Sequence, residues 1–341
     1  MNDTTRKVCD MYAKFPYPSS QPRRRRLTEL ANLLKIFCAE TGYDLRGKSV
    51  LDAGTGTGHR LIEAAAAFPE TRFTGVDVSE TPLAIARQTS VNERISNAEF
   101  HLADVMNNNN TLGTFDVVLS MGVIHHLSDP AAGVRNLVSN LADDGVLFAY
   151  IYGRHGARER MRRKKIVSLL LNGDQSFERG ISLVKDLGFD SFEYGWNLNF
   201  DDQESRDALI ADAYLNVHET LFDVHSIFDL MRPSGLDAFL VYGVTLEKSG
   251  ALFDARWPDG RPPALMPTDV SAHLPEEARE QYEALSLVRK YHLIDLLFQP
   301  NGYTLLGFKE RARRHFQRSS RIVANALAVQ EIEADNGTAV Q

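Results

Sequence analysis

The stretch "VLDAGTGTGHRL", residues 50–61, joins a short apolar run to a helical pattern. An acid, Asp52, stands just before a ladder of glycines at every second position: Gly54, Gly56 and Gly58. Glycine accepts positive φ and lets the backbone approach a ligand closely. A glycine-rich turn between a strand and a helix, with a carboxylate in front of it, therefore indicates a ligand-binding site.

Short apolar runs alternate with helical patterns from residue 48 to residue 152. The runs "KSVLDAG", "RFTGVDVS", "AEFHLAD", "FDVVLSMGV" and "GVLFAYIYG" are predicted strands. Between them we predict helices, one with Ser79 as N-cap and Pro82 in its first turn, and one closed by Gly145. This alternation predicts an α/β fold with a doubly wound, mostly parallel sheet, which binds ligands at the carboxyl ends of its strands.

The rest of the chain departs from this rhythm and suggests five parts. We expect an N-terminal arm and helix that cover the ligand (residues 1–47) and a βαβ core (48–155). A helical and aromatic insertion acting as a substrate lid (156–223) follows. The chain then returns to the sheet (224–310), with a second insertion at 248–301, and ends in a C-terminal helix and tail (311–341). Two helices are predicted within 157–187 and one over 275–298, and the tail beyond about residue 320 reads as a fraying helix.

The composition is that of a globular protein, with 43% hydrophobic and 24% charged residues. No apolar run approaches the roughly 20 residues of a membrane span, and the first ten residues lack the apolar core of a signal peptide. The two cysteines, Cys9 and Cys38, form neither a disulfide framework nor a CxxC metal pair. We therefore expect a cytoplasmic protein without a membrane partner or a metal.

Three basic clusters stand out against the net charge of −7: residues 23–26, 158–165 and 311–318. One interpretation is that they are solvated helix faces, and the other is a surface for an anionic partner such as RNA. The sequence contains no RNA-reading module with its aromatic signature. Together with the acidic net charge, this argues against a nucleic-acid partner.

Two classes of ligand use a glycine-rich turn after the first strand. In the dinucleotide pattern G-x-G-x-x-G, the third glycine position would fall on His59. The carboxylate of Asp52 would also repel a pyrophosphate and attract a cation. A ligand with a nucleoside and a positively charged amino group fits better, and S-adenosyl-L-methionine (SAM) is such a ligand.

The stretch 50–152 resembles the class I SAM-dependent methyltransferases, especially those acting on small molecules, through four motifs in order: "LDAGTGTG", "GVDVS", "LADV" and "FDVVLSMGVIHHLSDP". The resemblance implies a seven-stranded sheet, with antiparallel strands from 237–247 and 302–309. It implies that Asp52 orients the amino-acid part of SAM, Asp77 accepts the ribose hydroxyls and Asp104 binds the adenine. The other implied cofactor contacts are Gly54, Gly56, Gly58, Val78, Val105, Ser120 and Met121.

The acceptor would lie beside the end of the fourth strand, where His125 and His126 follow one another. Either imidazole is a candidate general base, because it titrates near neutral pH, and the alternative is packing or turn capping. At the end of the fifth strand, Tyr152 is a third candidate catalytic residue, while Tyr150 and Arg154 are candidates for the wall of the pocket. The opposing interpretation of the tyrosines is that they are core aromatics.

The segment "DAYLNVHETLFDVHS", residues 212–226, contributes three further substrate candidates: Tyr214, His218 and His225. A metal site formed by its histidines with Asp223 has little support, because no further ligand follows. The arm "YAKFPYPSS", residues 12–20, is tyrosine-rich and stiffened by proline, and we expect Tyr12 and Tyr17 to close over the cofactor.

Three functions remain open from the sequence. The leading one is a SAM-dependent methyltransferase with a small-molecule substrate in specialised metabolism. The second is a cyclase of the same fold that closes a ring within SAM and releases methylthioadenosine. The third is an RNA-directed or non-catalytic SAM-binding protein. The N/D-P-P-Y/F motif of amide and adenine methylation is absent from the sequence, which argues against nucleic-acid bases and glutamine as acceptors.

Overall fold

The computed structural model of the protein describes residues 3–19, 28–107, 112–191, 202–245, 270–316 and 318–332. These residues form a mixed α/β fold around one central sheet, as predicted. The strands are β1 Ser49–Ala53, β2 Arg72–Asp77, β3 Ala98–Leu102, β4 Phe115–Met121, β5 Leu141–Tyr152, β6 Ala238–Thr245, β7 Gly302–Phe308 and β8 Leu327–Ala328.

Helices cover the sheet and extend beyond it. Those of the N-terminal part and the βαβ core are α1 Asp3–Lys14, α2 Glu29–Thr41, α3 His59–Ala67, α4 Glu80–Asn92 and α5 Pro130–Ser139. The remaining helices are α6 Arg158–Leu171, α7 Phe177–Asp186, α8 Gln203–Ile210, α9 Val224–Met231, α10 Glu276–Glu283, α11 Leu287–Phe298 and α12 Ser320–Asn325. A 3-10 turn over Ile124–His126 and a π-helical turn over Ala211–Leu215 complete the elements that matter for the site.

The strand order is β3-β2-β1-β4-β5-β7-β6-β8. Strands β1 to β5 pair parallel with one another, whereas β7 is antiparallel to both β5 and β6. The chain therefore reverses its winding between β1 and β4, and the crevice at the carboxyl ends of these strands is where such folds bind ligands.

The glycine turn after β1 has the geometry that its sequence predicts. Gly54, Gly56 and Gly58 all have positive φ. A Cβ on Gly54 would lie 2.2 Å from a methyl group of Val123, and one on Gly56 would lie 2.7 Å from the carbonyl oxygen of Tyr17. The turn therefore packs directly against the segment after β4 and against the N-terminal arm.

The sheet has eight strands among the described residues, and the predicted number of seven was too low. The additional strand β8 has only two residues, and it pairs with Ala238 and Phe239 of β6. It covers part of a strand that would otherwise end the sheet with unpaired backbone groups. The predicted fraying tail beyond residue 320 is accordingly a short helix followed by this strand, while residues 333–341 lie outside the described part.

Two helix boundaries differ from the prediction. The helix expected to end at Gly145 ends at Ser139, and residues 141–144 already belong to β5. Gly145 serves a close approach of strands instead, since a Cβ there would lie 2.9 Å from the carbonyl oxygen of Asp116. The helix predicted over 275–298 is broken into α10 and α11, with Ser286 as the N-cap of the second.

The insertion after β5 builds a small helical layer of its own. Helices α6, α7 and α8 and the π-helical turn surround a separate apolar cluster that includes Val167, Ile181 and Ile210. Helix α1 contacts this layer, since Phe15 packs edge-on against Phe177 with ring centroids 5.5 Å apart. The insertion is therefore placed next to the cofactor crevice and to the N-terminal arm.

Neither a membrane helix nor a metal cluster is found in the described ranges. No helix there is long and apolar enough to cross a membrane. No group of three or more His, Cys, Asp or Glu side chains there is arranged to hold a metal ion.

Candidate active site

A pocket lies at the carboxyl ends of β1, β2, β4 and β5, beneath α1 and the π-helical turn. Most of the residues predicted to bind the cofactor or the substrate in this region line it. The predicted residues in its lining are Tyr12, Tyr17, Gly54, Gly56, Asp77, Val78, Asp104, Val105, Met121, His126, Tyr150 and Tyr152.

At one end of the pocket, Asp77 terminates β2 and supports the glycine turn. Its Oδ2 accepts a hydrogen bond from the backbone N–H of Gly56 at 2.9 Å, and its Oδ1 accepts one from Ser79 at 2.9 Å. Burial raises the pKa of Asp77, although these backbone donors oppose that shift. The carboxylate is thus fixed in direction and keeps further lone pairs for hydroxyl donors.

Beyond Asp77, the pocket is flanked by apolar side chains and one more acid. Val78, Val105 and Met121 line this part, together with Asp104. Asp104 also stabilises its own turn, since its Oδ1 accepts from the backbone N–H of Met106 at 2.9 Å. An apolar slot with a carboxylate at its edge suits a flat, nitrogen-rich ring.

The opposite side of the glycine turn contains buried charges that lack hydrogen bonds. Both carboxylate oxygens of Glu29, Nε of Arg60 and Oγ1 of Thr55 are buried without a hydrogen-bond partner among the described residues. Glu29 and Arg60 form an ion pair at 3.9 Å. Buried polar groups are normally hydrogen-bonded, so these atoms are available to bind a polar ligand.

Three predicted cofactor residues, Asp52, Gly58 and Ser120, do not belong to the lining. Asp52 is only 4% exposed in β1, and burial raises its pKa to about 6. A Cβ on Gly58 would meet Ala86 and Phe100, so this glycine faces α4 and β3 rather than the pocket. Ser120 is buried within β4. Their roles in cofactor binding stay predictions.

At the other end of the pocket, three polar side chains converge on Asp212 of the π-helical turn. Oδ1 of Asp212 accepts a hydrogen bond from the Tyr12 hydroxyl at 2.6 Å, and Oδ2 accepts one from the Tyr152 hydroxyl at 3.3 Å. Nε2 of His126 lies 3.7 Å from Oδ1. Burial raises the pKa of both tyrosines well above the ordinary value, so both hydroxyls remain donors.

The tautomer of His126 follows from its other ring nitrogen. Nδ1 lies 3.0 Å from the backbone carbonyl oxygen of His218. A carbonyl can only accept, so Nδ1 carries the proton and Nε2 of the neutral ring has a free lone pair. Nε2 has no hydrogen-bond partner among the described residues, and burial lowers the pKa of this imidazole. His126 therefore presents an unprotonated nitrogen in the pocket.

His125, the second candidate base, is placed differently. Its ring is fully buried and stacks on Tyr152 with centroids 3.7 Å apart. Burial lowers its pKa well below the ordinary value. It is not among the residues that line the pocket. The interpretation of His125 as a base is thus not supported by its position, and its role is to pack behind Tyr152.

Four predicted substrate residues, Arg154, Tyr214, His218 and His225, are not part of the pocket lining. Arg154 forms an ion pair with Asp223 at 2.7 Å, and its side chain is 55% exposed. The hydroxyl of Tyr214 donates to the carbonyl of Phe189 at 3.0 Å, inside the helical layer.

The two histidines are also displaced from the pocket. The ring of His218 contacts the carbonyl of Leu127 at 3.0 Å, so only its backbone reaches the site. His225 lies on the exposed side of α9, with its ring centroid 4.2 Å from that of His292. Proximity in sequence to Asp212 therefore does not bring either ring to the pocket lining.

Several lining residues were missed by the sequence interpretation. Asp212 begins the stretch that we had singled out, but a single acid in a helical pattern gives no sign of burial. Arg60 and His59 directly follow the glycine ladder, and their position after the motif is a signal that could have found them. Glu29 carries no local signal, because it reaches the pocket only through the packing of α2 against α3.

A family profile described as "Methyltransferase domain" matches residues 44–167. Residues 44–167 are thus similar to a methyltransferase domain. It spans β1 to most of α6, including the glycine turn and the segment with His126. The methyl donor of this class is SAM, so the cofactor predicted from the sequence is confirmed for this domain.

Relatives match both the methyltransferase domain and sequence beyond it. An uncharacterized protein of Synechococcus sp. is 28% identical over 273 residues, covering 76% of this chain and 60% of the relative. The ubiquinone biosynthesis O-methyltransferase of Coxiella burnetii is 28% identical over 137 residues, covering 38% of this chain and 57% of the relative. The chain thus spans about three fifths of the length of each of these two relatives.

A solved structure resembles the fold over most of the chain. PKMT2 from Rickettsia typhi in complex with AdoHcy superposes with a TM-score of 0.59 at 18% identity. The match covers 83% of this chain and 54% of that chain. At this identity the likeness concerns the fold alone, and it extends past the methyltransferase domain into the return to the sheet.

Proposed function

We propose that the protein transfers the methyl group of SAM to a proton-bearing nucleophile on a small molecule, with His126 as the general base. The observation that carries this proposal is the unpartnered Nε2 of His126, buried in the pocket lining beside Asp212. When bound, SAM supplies an electrophilic methyl group on a sulfonium. The chain itself has to position the acceptor and remove its proton.

The residues in the pocket fit the parts of the cofactor. The fixed carboxylate of Asp77 would accept the ribose hydroxyls, and the slot between Val78 and Val105 would hold the adenine, with Asp104 at its edge. Glu29, whose carboxylate oxygens have no hydrogen-bond partner among the described residues, and Arg60, whose Nε has none there, would hold the amino-acid part. This places the methyl group toward the remaining polar cluster, because the lining has no other polar end that remains unassigned.

Four side chains would take part in removing the acceptor proton. His126 would take the proton at Nε2, and the resulting imidazolium would be stabilised by the carboxylate of Asp212. Tyr12 and Tyr152 hold that carboxylate by their hydroxyls and exclude water from it. Because the carboxylate is already in place, the charge that develops on the base requires little rearrangement.

The enclosure of this end supports a small acceptor. Tyr150 is 7% exposed, and Asp212 and His126 are each 6% exposed. Helix α1 and the π-helical turn cover the site from two sides. We place the acceptor in specialised metabolism because a helical insertion of this kind would shape a pocket for a particular compound.

The basic cluster at 311–318 gives no support to an RNA-directed function, because three of its arginines are paired with acids. Arg311 pairs with Asp143 at 2.8 Å, Arg313 pairs with Glu310 at 2.8 Å, and Arg314 contacts Asp144. The cluster at 23–26 lies outside the described residues. A surface whose cations are neutralised by neighbouring acids offers little free charge to a phosphate backbone.

The experiment that tests the proposal follows the fate of methyl-labelled SAM. The purified protein is incubated with labelled SAM alone and with fractionated cell extract, and the products are separated by chromatography and mass spectrometry. We expect label in an extracted small molecule, together with adenosylhomocysteine. Methylthioadenosine formed from SAM alone would instead indicate the cyclase, and label confined to RNA or protein would overturn the small-molecule acceptor.

A further inference from the structure

The basic stretch 158–165 is not a solvated helix face throughout. The side chain of Arg160 is only 14% exposed and that of Lys164 only 17%, and both pair with Glu219, whose side chain is 3% exposed. These buried charges lie in the helical insertion and not at the glycine turn. Burying three charged groups costs free energy unless they pair with good hydrogen-bond geometry, so a specific role is expected for this arrangement.

One guanidinium joins two separate backbone segments. Nη1 and Nη2 of Arg160 donate to the two carboxylate oxygens of Glu219 at 3.1 and 2.7 Å. Nη1 also donates to the backbone carbonyl of Ala213 at 3.0 Å. Ala213 follows Asp212 in the π-helical turn, so the same side chain of α6 holds the turn and the segment around Glu219.

The segment around Glu219 lies against the 3-10 turn that contains His126. The backbone N–H of Thr220 donates to the carbonyl of His125 at 2.7 Å, and the carbonyl of His218 accepts from Nδ1 of His126 at 3.0 Å. Glu219 stands between these two contacts and extends to Arg160. The fork of Arg160 therefore fixes the backbone that sets the tautomer of His126.

We propose that Arg160, through Glu219 and Ala213, is the positioning residue that holds His126 in its Nδ1–H tautomer and Asp212 beside it. This inference rests on the proposed function of His126 as the base. Arginine is suited to this role because its planar fork binds a carboxylate in two places and still reaches a carbonyl. Lysine presents a single ammonium and cannot make all three contacts.

Several ionisable groups surround His126, and each can influence its ring. They are His125 on the same 3-10 turn, Tyr152 on β5, Tyr12 on α1, Asp212 on the π-helical turn, His218 and Glu219 on the docked segment, and Arg160 and Lys164 on α6. Only Arg160 contacts both the docked segment and the π-helical turn among the bonds found in the described part. Replacing Arg160 should thus change the geometry around His126 as well as the local charge.

The test uses protein labelled with nitrogen-15 in histidine, in which long-range proton–nitrogen spectra report the tautomer of each ring. His126→Gln assigns the signals of His126. We expect the Nδ1–H pattern in the unmodified protein and its loss or averaging in Arg160→Met. Lys164 still pairs with Glu219 in this variant, so its fold should persist. Arg162→Met is the matched control, because Arg162 is on the same helix and its side chain is 59% exposed.

Two further variants keep the result decisive if Arg160→Met does not fold. Glu219→Gln keeps the shape but removes the paired charge, and Arg160→Lys keeps the charge but removes the fork. We expect the His126 tautomer to be averaged in both while adenosylhomocysteine affinity, measured by calorimetry, is kept. An unchanged Nδ1–H pattern in folded Arg160 variants would overturn the inference. The spectrum needs no acceptor, so a failure of methyl transfer with a normal spectrum would count against the proposed function instead.

Discussion

Nε2 of His126 lies 3.7 Å from Oδ1 of Asp212, and both side chains are buried. The distance is too long for a hydrogen bond, and the tautomer of the ring leaves no proton between the two atoms. A proton that arrives at Nε2 would therefore create an ion pair where none exists in the resting site. This relationship makes His126 a neutral acceptor whose protonated form has a partner in place.

A titration of His126 tests this balance of burial and charge. Burial lowers the pKa of His126, whereas the Asp212 carboxylate raises it. We expect a pKa below the ordinary value near 6.5, so the ring stays neutral at pH 7. Removing the carboxylate in Asp212→Asn removes the raising influence, and the pKa should fall further. The measurement is the pH dependence of the His126 ring signals by NMR.

The same titration has an internal control and a contrary outcome. The ring signals of His101, an exposed residue of β3, should be the same in both proteins at pH 7. A pKa of His126 that rises in Asp212→Asn would mean that the carboxylate does not act on the imidazolium. The role of Asp212 would then have to be structural.

Removal of the Asp77 carboxylate should weaken cofactor binding. Asp77→Ala takes away the expected acceptor of the ribose hydroxyls, and a hydrogen bond to a charged group contributes about 1.5–3 kcal/mol. We expect the affinity for adenosylhomocysteine to fall by about 10- to 150-fold, measured by calorimetry. Glu99→Gln on the neighbouring strand β3 is a control at an exposed acid. Unchanged affinity in folded Asp77→Ala would remove the ribose assignment.

The steric role of the glycine turn can be separated from its backbone conformation. Gly54 and Gly47 both have positive φ, but only at Gly54 would a Cβ meet a neighbour, the Val123 methyl at 2.2 Å. The backbone strain of an alanine at positive φ, about 1–2 kcal/mol, is common to Gly54→Ala and Gly47→Ala. Overpacking should cost Gly54→Ala roughly a further 1–3 kcal/mol in the free energy of unfolding, measured by urea denaturation. An equal loss of unfolding free energy in Gly54→Ala and Gly47→Ala would show that the contact with Val123 relaxes freely.

Helix α1 and the helical insertion should close over the cofactor as a lid. The Tyr12 hydroxyl donates to Asp212, and Lys14 forms an ion pair with Glu178, so the arm is joined to the insertion by polar contacts at two places. We expect adenosylhomocysteine to increase amide protection in residues 3–19 and in the segments around α6–α8, measured by hydrogen exchange. Protection that rises only around residues 54–58, 77 and 104 would contradict a lid.

The sheet and the cofactor side were predictable because their signals are local. The glycine ladder after β1 and the acids at the ends of β2 and β3 each follow a run of apolar residues, and parallel strands bring these ends to one edge. No comparable signal marked β8, since two residues pairing with an edge strand have no periodicity. Gly145 was misread because a glycine after a helix and a glycine at a close strand contact look alike in sequence.

The acceptor side depends on tertiary packing, and there the sequence was a poorer guide. His126 and His125 are adjacent, yet a 3-10 turn sends one ring into the pocket and the other behind Tyr152. Asp212 is brought to the site by a π-helical turn, an irregularity that no residue pattern predicted. Arg160 looked like one cation in a basic helix, and only its contacts with both Glu219 and the carbonyl of Ala213 distinguish it from its neighbours in the described structure.

The central claim is that His126 removes the acceptor proton during methyl transfer from SAM. The most direct measurement compares unmodified protein with His126→Gln, using methyl-labelled SAM and the extract fraction that accepts label, with adenosylhomocysteine affinity measured on both. Glutamine keeps much of the size and hydrogen bonding but cannot serve as the base. The account predicts a loss of label transfer of about 10²- to 10⁴-fold with the affinity retained. Near-full label transfer by His126→Gln, or a loss explained by weakened cofactor binding, would contradict it.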